Sequence, residues 1–136
     1  MIAPGSVIRW TDSLLVGLDF MDEDHREAVA AMNRMAVARG VTLQAEAHAF
    51  LRHCQDHFAR ENAMMAATGF FAIEPHQGEP ERVLAELAGI VAHLDRGEPV
   101  GDYFTVALPQ WFLEHRATMD HVTAEFARQR GWAKAG

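Results

Sequence analysis

Four stretches of this chain space their apolar residues by three and four, and each puts a histidine on or in line with its apolar stripe. The first, 19–39, carries Val29, Met32, Met35 and Ala36 in that rhythm, with His25 one turn before Val29. The second, 42–68, reads Phe50, Cys54, His57, Glu61, Met64 and Met65. The third, 79–96, reads Leu84, Leu87, Val91 and Leu94, and its stripe extended backwards passes position 80 and reaches His76. The fourth, 102–130, reads Phe104, Leu108, Trp111, His115, Met119, Val122 and Phe126. Such spacing lines one face of an α-helix. No stretch alternates as a strand would, and there is no internal repeat. Four amphipathic helices with short links predict an all-α protein, an up-down-up-down four-helix bundle.

The punctuation agrees. Gly40 is placed to end the first helix and Gly69 the second, with Thr42 as an N-cap between them. Asp19, Asp22, Glu23 and Asp24 crowd the start of the first helix, where the dipole favours acids. Pro80 is tolerated in a first turn, so the third helix is expected to begin near Glu79 or Pro80, after a 69–78 loop that holds His76. Pro109 either kinks the last helix or marks its true start after a short separate turn. Residues 1–18 lack helical rhythm and read as an extended N-terminal arm anchored by Trp10. The expectation is one domain over 1–136.

Composition removes some functions. The formal net charge is −7 and Lys134 is the sole lysine, so neither nucleic acid nor an anionic membrane surface is an expected partner. No apolar run approaches the roughly 20 residues of a membrane span, and the N-terminus has no basic start or cleavage site. The single cysteine, Cys54, reads as a small buried apolar residue in a reducing compartment, and the expected location is the cytoplasm.

The seam histidines call for chemistry. Burying unpaired imidazoles and carboxylates is costly, and a metal centre removes that cost. Mixed imidazole and carboxylate ligands suit iron, manganese or zinc. Glu61 stacks one turn after His57, while Asp120 stands five residues after His115. An ideal helix puts an i, i+5 pair out of phase, so Asp120 must reach across or follow a wide turn. Two carboxylates on different helices point to a dinuclear site. Each signal alone has a plainer reading: His25 as a helix-start surface residue, the His57–Glu61 pair as an exposed i, i+4 pair, His76 as a loop residue. The joint order H, HxxxE, H, HxxxxD is the specific feature. His48, His53, His93 and His121 fall off the stripes and read as surface residues.

Trp10 with GLDFMDEDH, then HFAREN, the GFF that follows, and WFLEHRATMD resemble the hemerythrin family, specifically its bacterial single-domain members, over nearly the whole chain. The resemblance implies two non-haem iron ions bridged by Glu61 and Asp120. It implies that His25 and His57 hold the iron that binds dioxygen, and that His76 and His115 hold the other. It implies reversible binding of dioxygen, or of a similar small diatomic or peroxide ligand, rather than catalysis, beside an apolar pocket to which Met32, Leu51 or Phe112 contribute. The departure is at the third helix. The family pattern there is HxxxH, and Pro80 stands where the second histidine belongs. Glu79 is either a replacement ligand or a helix-start acid, and Pro80 is expected to leave His76 on less rigid backbone. The lost ligand keeps two other readings open: a peroxidase- or oxidase-like enzyme with an open coordination position, and a redox or dioxygen sensor acting through a protein partner.

Overall fold

The computed structural model describes residues 7–69, 73–115 and 119–131, the side chains of 73–77 excepted. After a short 3-10 turn, Asp12–Leu14, come α1 (Asp19–Val37), α2 (Gly40–Thr68), α3 (Ile73–Asp95), α4 (Leu108–His115) and α5 (His121–Gln129). α4 and α5 together form the fourth leg of an all-helical, up-down-up-down bundle, and no strand occurs among the described residues. None of these helices is long and apolar enough to cross a membrane.

Glycines end the long helices as their backbone freedom allows. Gly69 adopts the left-handed conformation (φ 71°) and returns its N–H to the Met65 carbonyl. Gly40 is also left-handed (φ 58°), but it opens α2 while Ala38 and Arg39 span the corner in extended conformation. Thr42 therefore lies inside the first turn of α2 and is not its N-cap.

The third helix differs most from expectation. It begins at Ile73, so the backbone of His76 is already helical, and Pro80 lies inside the helix instead of at its start. A proline there removes one N–H, the donor that would have reached the carbonyl four residues back at His76, at a cost of about 3 kcal/mol. The helix tolerates it because Pro80 is buried on the same face as Val83, Leu87 and Val91, against α2. Leu84 and Leu94 flank that stripe and do not form its centre.

The fourth leg is not one regular helix over 102–130. A π turn, Tyr103–Ala107, precedes α4, and Pro109 sits in the first turn of α4, marking its start. Residues 119–120 again have π geometry. This wider winding shifts the register, so Thr123, Ala124 and Ala127 face inward and Val122 is 48% exposed.

The interior is two apolar clusters. One holds Met32, Met35, Phe50, Leu87, Phe104 and Leu108. The other holds Val16, Leu18, Met21, Met64, Ala124 and Ala127. Between them, on three of the four legs, lie buried polar residues. Asp24 and His25 come between Met21 and Ala28, His57 and Glu61 between Phe50 and Met64, and His115 and Asp120 between Phe112 and Ala124.

The arm is held more firmly than Trp10 alone would hold it. Trp10 packs on the core with the Arg26 guanidinium 5.2 Å above its ring. In addition, the Asn33 carboxamide accepts from Val7 N (2.8 Å) and Ile8 N (3.0 Å) and donates to the Ile8 carbonyl (2.8 Å). Farther along, Asp22 accepts from Val16 N at 2.7 Å and Gly17 N at 3.2 Å, which joins the arm to the first turn of α1. Asn33→Ala removes three hydrogen bonds worth about 1 kcal/mol each. It should lower the unfolding free energy by about 2 kcal/mol and open the bond after Arg9 to trypsin in the folded protein; unchanged urea midpoint and cleavage rate would refute the clamp.

Candidate metal centre

The polar layer is a closed set of facing acids and bases. His25, His57, Glu61, His115 and Asp120 are each no more than 6% exposed. His25 comes from α1, and His57 and Glu61 from α2, one turn apart. His115 ends α4, residues 119–120 have π geometry, and Asp120 faces the same side as His115 five residues earlier.

The distances pair each histidine with a carboxylate. Asp120 divides its oxygens: Oδ2 is 3.1 Å from His25 Nε2 and Oδ1 is 3.0 Å from His115 Nε2. Glu61 Oε2 lies 3.0 Å from His57 Nε2. Ligand atoms of Glu61, His115 and Asp120 fall within 4.8 Å of one another. For His57, His115 and Asp120, burial alone would favour the neutral form, and the partners outweigh it. Despite its burial, His57 is pushed up to about 10 by hydrogen bonds to Asp24 and Glu61 and by the charges of Glu61 and Asp120. Burial likewise opposes charge on His115, yet its pKa is raised by the Asp120 carboxylate. Burial would raise Asp120, but the hydrogen bonds from His115 and His25 hold it well below the usual carboxylate range.

This donor set fits a pair of hard or borderline cations. Three imidazole Nε2 atoms and two carboxylates converge in a dry layer, each Nε2 aimed at an oxygen, so that a cation could replace the proton between them. Aromatic rings fix the imidazoles. Trp111 stacks on His115 (4.7 Å, 17°), Phe112 meets His25 edge-on at 5.3 Å, and Phe58 meets His57 edge-on at 5.2 Å.

Other expected residues fall outside this cluster. The side chain of His76 lies outside the described residues. Glu79 is half-buried and already engaged: its carboxylate accepts from Trp111 Nε1 at 2.6 Å and from Arg82 at 2.9 Å. Those bonds hold its pKa below the ordinary value, Arg82 first. Of the outlying histidines, His48 pairs with Asp95 (3.0 Å), His93 with Glu98 (2.6 Å), and His121 is exposed. His53 is half-buried, with Nε2 at 3.1 Å from the Asp24 carbonyl. The residue that sequence reasoning missed is Asp24, taken there as a helix-start acid. It is buried and accepts from His57 Nδ1 at 2.8 Å and from Arg60. Its partner stands 33 positions away, so no local spacing exposes the contact; the one available hint is its place beside a seam histidine.

His25, His57, His115 and Asp120 face a cavity of about 30 Å³ whose apolar walls include Met32, Phe50, Cys54 and Phe112. It has room for one or two molecules of water size and nothing much larger. Leu51, an expected wall residue, packs on the core and does not line it.

No family profile matches the chain. Among curated proteins it is similar to bacteriohemerythrin of Ralstonia nicotianae, 31% identical over 126 residues that cover 92% of each chain. It is 26% identical to bacteriohemerythrin of Stenotrophomonas maltophilia over 142 residues, 93% of each chain. It is 30% identical to myohemerythrin of Riftia pachyptila over 112 residues, 82% of this chain and 86% of that one. A crystal structure of a hemerythrin mutant and a second mutant crystal structure share the fold, each with a TM-score of 0.82 over 90% of this chain and 98% of theirs, at 18% and 19% identity.

Cys54, half-buried on the cavity wall, reports on access to the cavity. Burial, with a smaller contribution from the Asp24 charge, pushes its thiol up to about 12. Little thiolate then exists near a pH of about 8, and the higher nucleophilicity of a more basic thiol compensates only in part. An aromatic disulfide reagent should react at least about 30-fold more slowly with the folded protein than with the urea-unfolded chain. Equal rates would mean that the cavity wall opens freely.

Proposed function

The chain belongs to the hemerythrin family, and from that premise we propose that it binds dioxygen reversibly at a carboxylate-bridged pair of iron ions, for storage, delivery or sensing. The family is one of non-haem di-iron, oxygen-binding proteins, and its cofactor is two iron ions. In this reading His25 and His57 would hold one iron and His115 with His76 the other, and Glu61 and Asp120 would be the shared carboxylates. When bound, the iron pair supplies the redox electrons for holding dioxygen. The chain's own residues do the rest. Asp120 offers one oxygen to each half-site, Glu61 adds the second negative charge, and the aromatic rings keep the imidazoles in place.

The observation that supports the proposal is the convergence of His25, His57, Glu61, His115 and Asp120 in one buried layer around a cavity of about 30 Å³. Metal ions would take part of that space, and what is left suits a diatomic molecule or a peroxide better than an organic substrate. The cavity's apolar walls of Met32, Phe50 and Phe112 keep bulk water and protons from the site, which favours release of the ligand unchanged.

A second reading, peroxidase-like turnover at the other iron, draws on a different feature. Pro80 occupies the ligand register of α3 and offers no donor atom. A surface cleft of about 370 Å³, lined by Glu79, Trp111, Glu114, His115 and Met119, reaches that half-site from outside. A half-site one ligand short, buried beneath a surface cleft, is where an open coordination position would be expected.

One set of measurements separates these. Protein purified without added metal should contain two irons per chain by elemental analysis, and its reduced form should give a stable oxygenated spectrum in air. One iron per chain would mean that Pro80 has disabled the second half-site, and no iron would defeat the proposal. Steady peroxide turnover that is abolished by Pro80→His while the oxygenated spectrum persists would favour the second reading.

A further inference from the structure

The two nitrogens of His57 face different partners. Nε2 looks toward Glu61 at 3.0 Å, while Nδ1 donates to Asp24 Oδ2 at 2.8 Å. The same Asp24 oxygen also accepts from the Arg60 guanidinium. Asp24 is 8% exposed, whereas the Arg60 side chain is 50% exposed. Asp24 borders both the inner cavity and an outer groove that contains Arg60, Asp19, Glu23 and Asp56. Three groups thus run in series from solvent to the inner nitrogen of His57. His25 has no such brace: its Nδ1 is buried and has no hydrogen-bond partner among the described residues.

A carboxylate that accepts a proton from the far nitrogen of an imidazole fixes its tautomer, orients the ring and makes the near nitrogen a stronger donor. A stronger donor favours the more highly charged, oxidised metal. Arg60 works in the other direction. By binding the same oxygen it draws charge from Asp24 and weakens the pull on the imidazole proton. We propose that Asp24 is a positioning residue which, with Arg60 as its counterweight, sets how readily the iron held by His57 gives up an electron, and hence how tightly dioxygen is held. This rests on the reading of His57 as an iron ligand.

If Asp24 and Arg60 formed only a structural ion pair, removing either partner would do the same thing, namely loosen the fold. The proposal requires opposite signs. In anaerobic redox titrations of the iron-loaded protein, Asp24→Asn should raise the midpoint potential and Arg60→Ala should lower it. Each change should be about tenfold in the ratio of oxidised to reduced iron at fixed potential, or about 59 mV for a one-electron couple. Arg60→Lys, which keeps the charge, should stay near the parent. A second readout needs no iron: in the metal-free protein the downfield His57 Nδ1 proton resonance should persist in Arg60→Ala and move upfield in Asp24→Asn. Shifts of one sign, or none, with two irons still bound would overturn the inference and leave the ligand reading intact. Retention of both irons by His57→Ala would overturn the ligand reading, and the inference with it.

Discussion

Everything in this bundle is arranged around one buried carboxylate, Asp120, which gives one oxygen to His25 of α1 and the other to His115 of α4. An ionised carboxylate taken out of water without partners would cost several kcal/mol. Two imidazoles on two legs offset that cost, and in doing so they fix the distance between the legs. Glu61 and His57 add a second carboxylate–imidazole pair, within α2. The result is a charged layer across the middle of the molecule, with an apolar cluster on either side. The clusters keep water out, and exclusion of water strengthens every interaction in the layer. Methionines serve this role well. Met21, Met32, Met35, Met64 and Met65 are at most 1% exposed, and their unbranched, flexible side chains fill the irregular space left beside a wide helical turn.

How much of this was legible depends on whether a residue's role is local. The i, i+4 pair His57 and Glu61, the seam position of His115, and His25 one turn before Val29 all follow from helical periodicity, and the structure brings them together. Asp120 was recognisable as a candidate but out of phase for an ideal helix; residues 119–120 have π geometry, and no residue preference announces that winding. The start of α3 was misjudged because Pro80 reads as a first-turn residue. That rule concerns a missing N–H and says nothing of burial, and here burial of the ring on the seam decides. Asp24 was opaque for a third reason. Its contact lies across helices, so its sequence neighbours explain it equally well as a dipole acid.

The same logic bears on Glu79. Three residues after His76 it has the spacing of a substitute ligand, and spacing alone leaves that role open against a helix-start acid. The structure removes the second option, because position 79 is no longer at a helix start. It also shows the carboxylate turned to the Trp111 indole and to Arg82. Trp111 in turn lies flat on His115. Glu79 therefore acts on the second half-site at one remove, by holding the ring that holds the imidazole.

The two halves of the centre are consequently braced to different degrees. His57 has a buried carboxylate on its outer nitrogen and an aromatic edge from Phe58. His25 has the edge of Phe112. On the other side, Trp111 and its bond to Glu79 steady His115, but Pro80 stands in the ligand register of α3 and a solvent cleft reaches His115 itself. Rigid, dry surroundings hold a metal's geometry constant through a change of charge, and a wetter, less crowded position exchanges ligands more readily. The physical asymmetry thus argues for a division of labour. In the proposed assignment of ligands, His57 is the more firmly braced imidazole, and the surroundings of His115 and Pro80 are where the chain departs from a symmetric carrier.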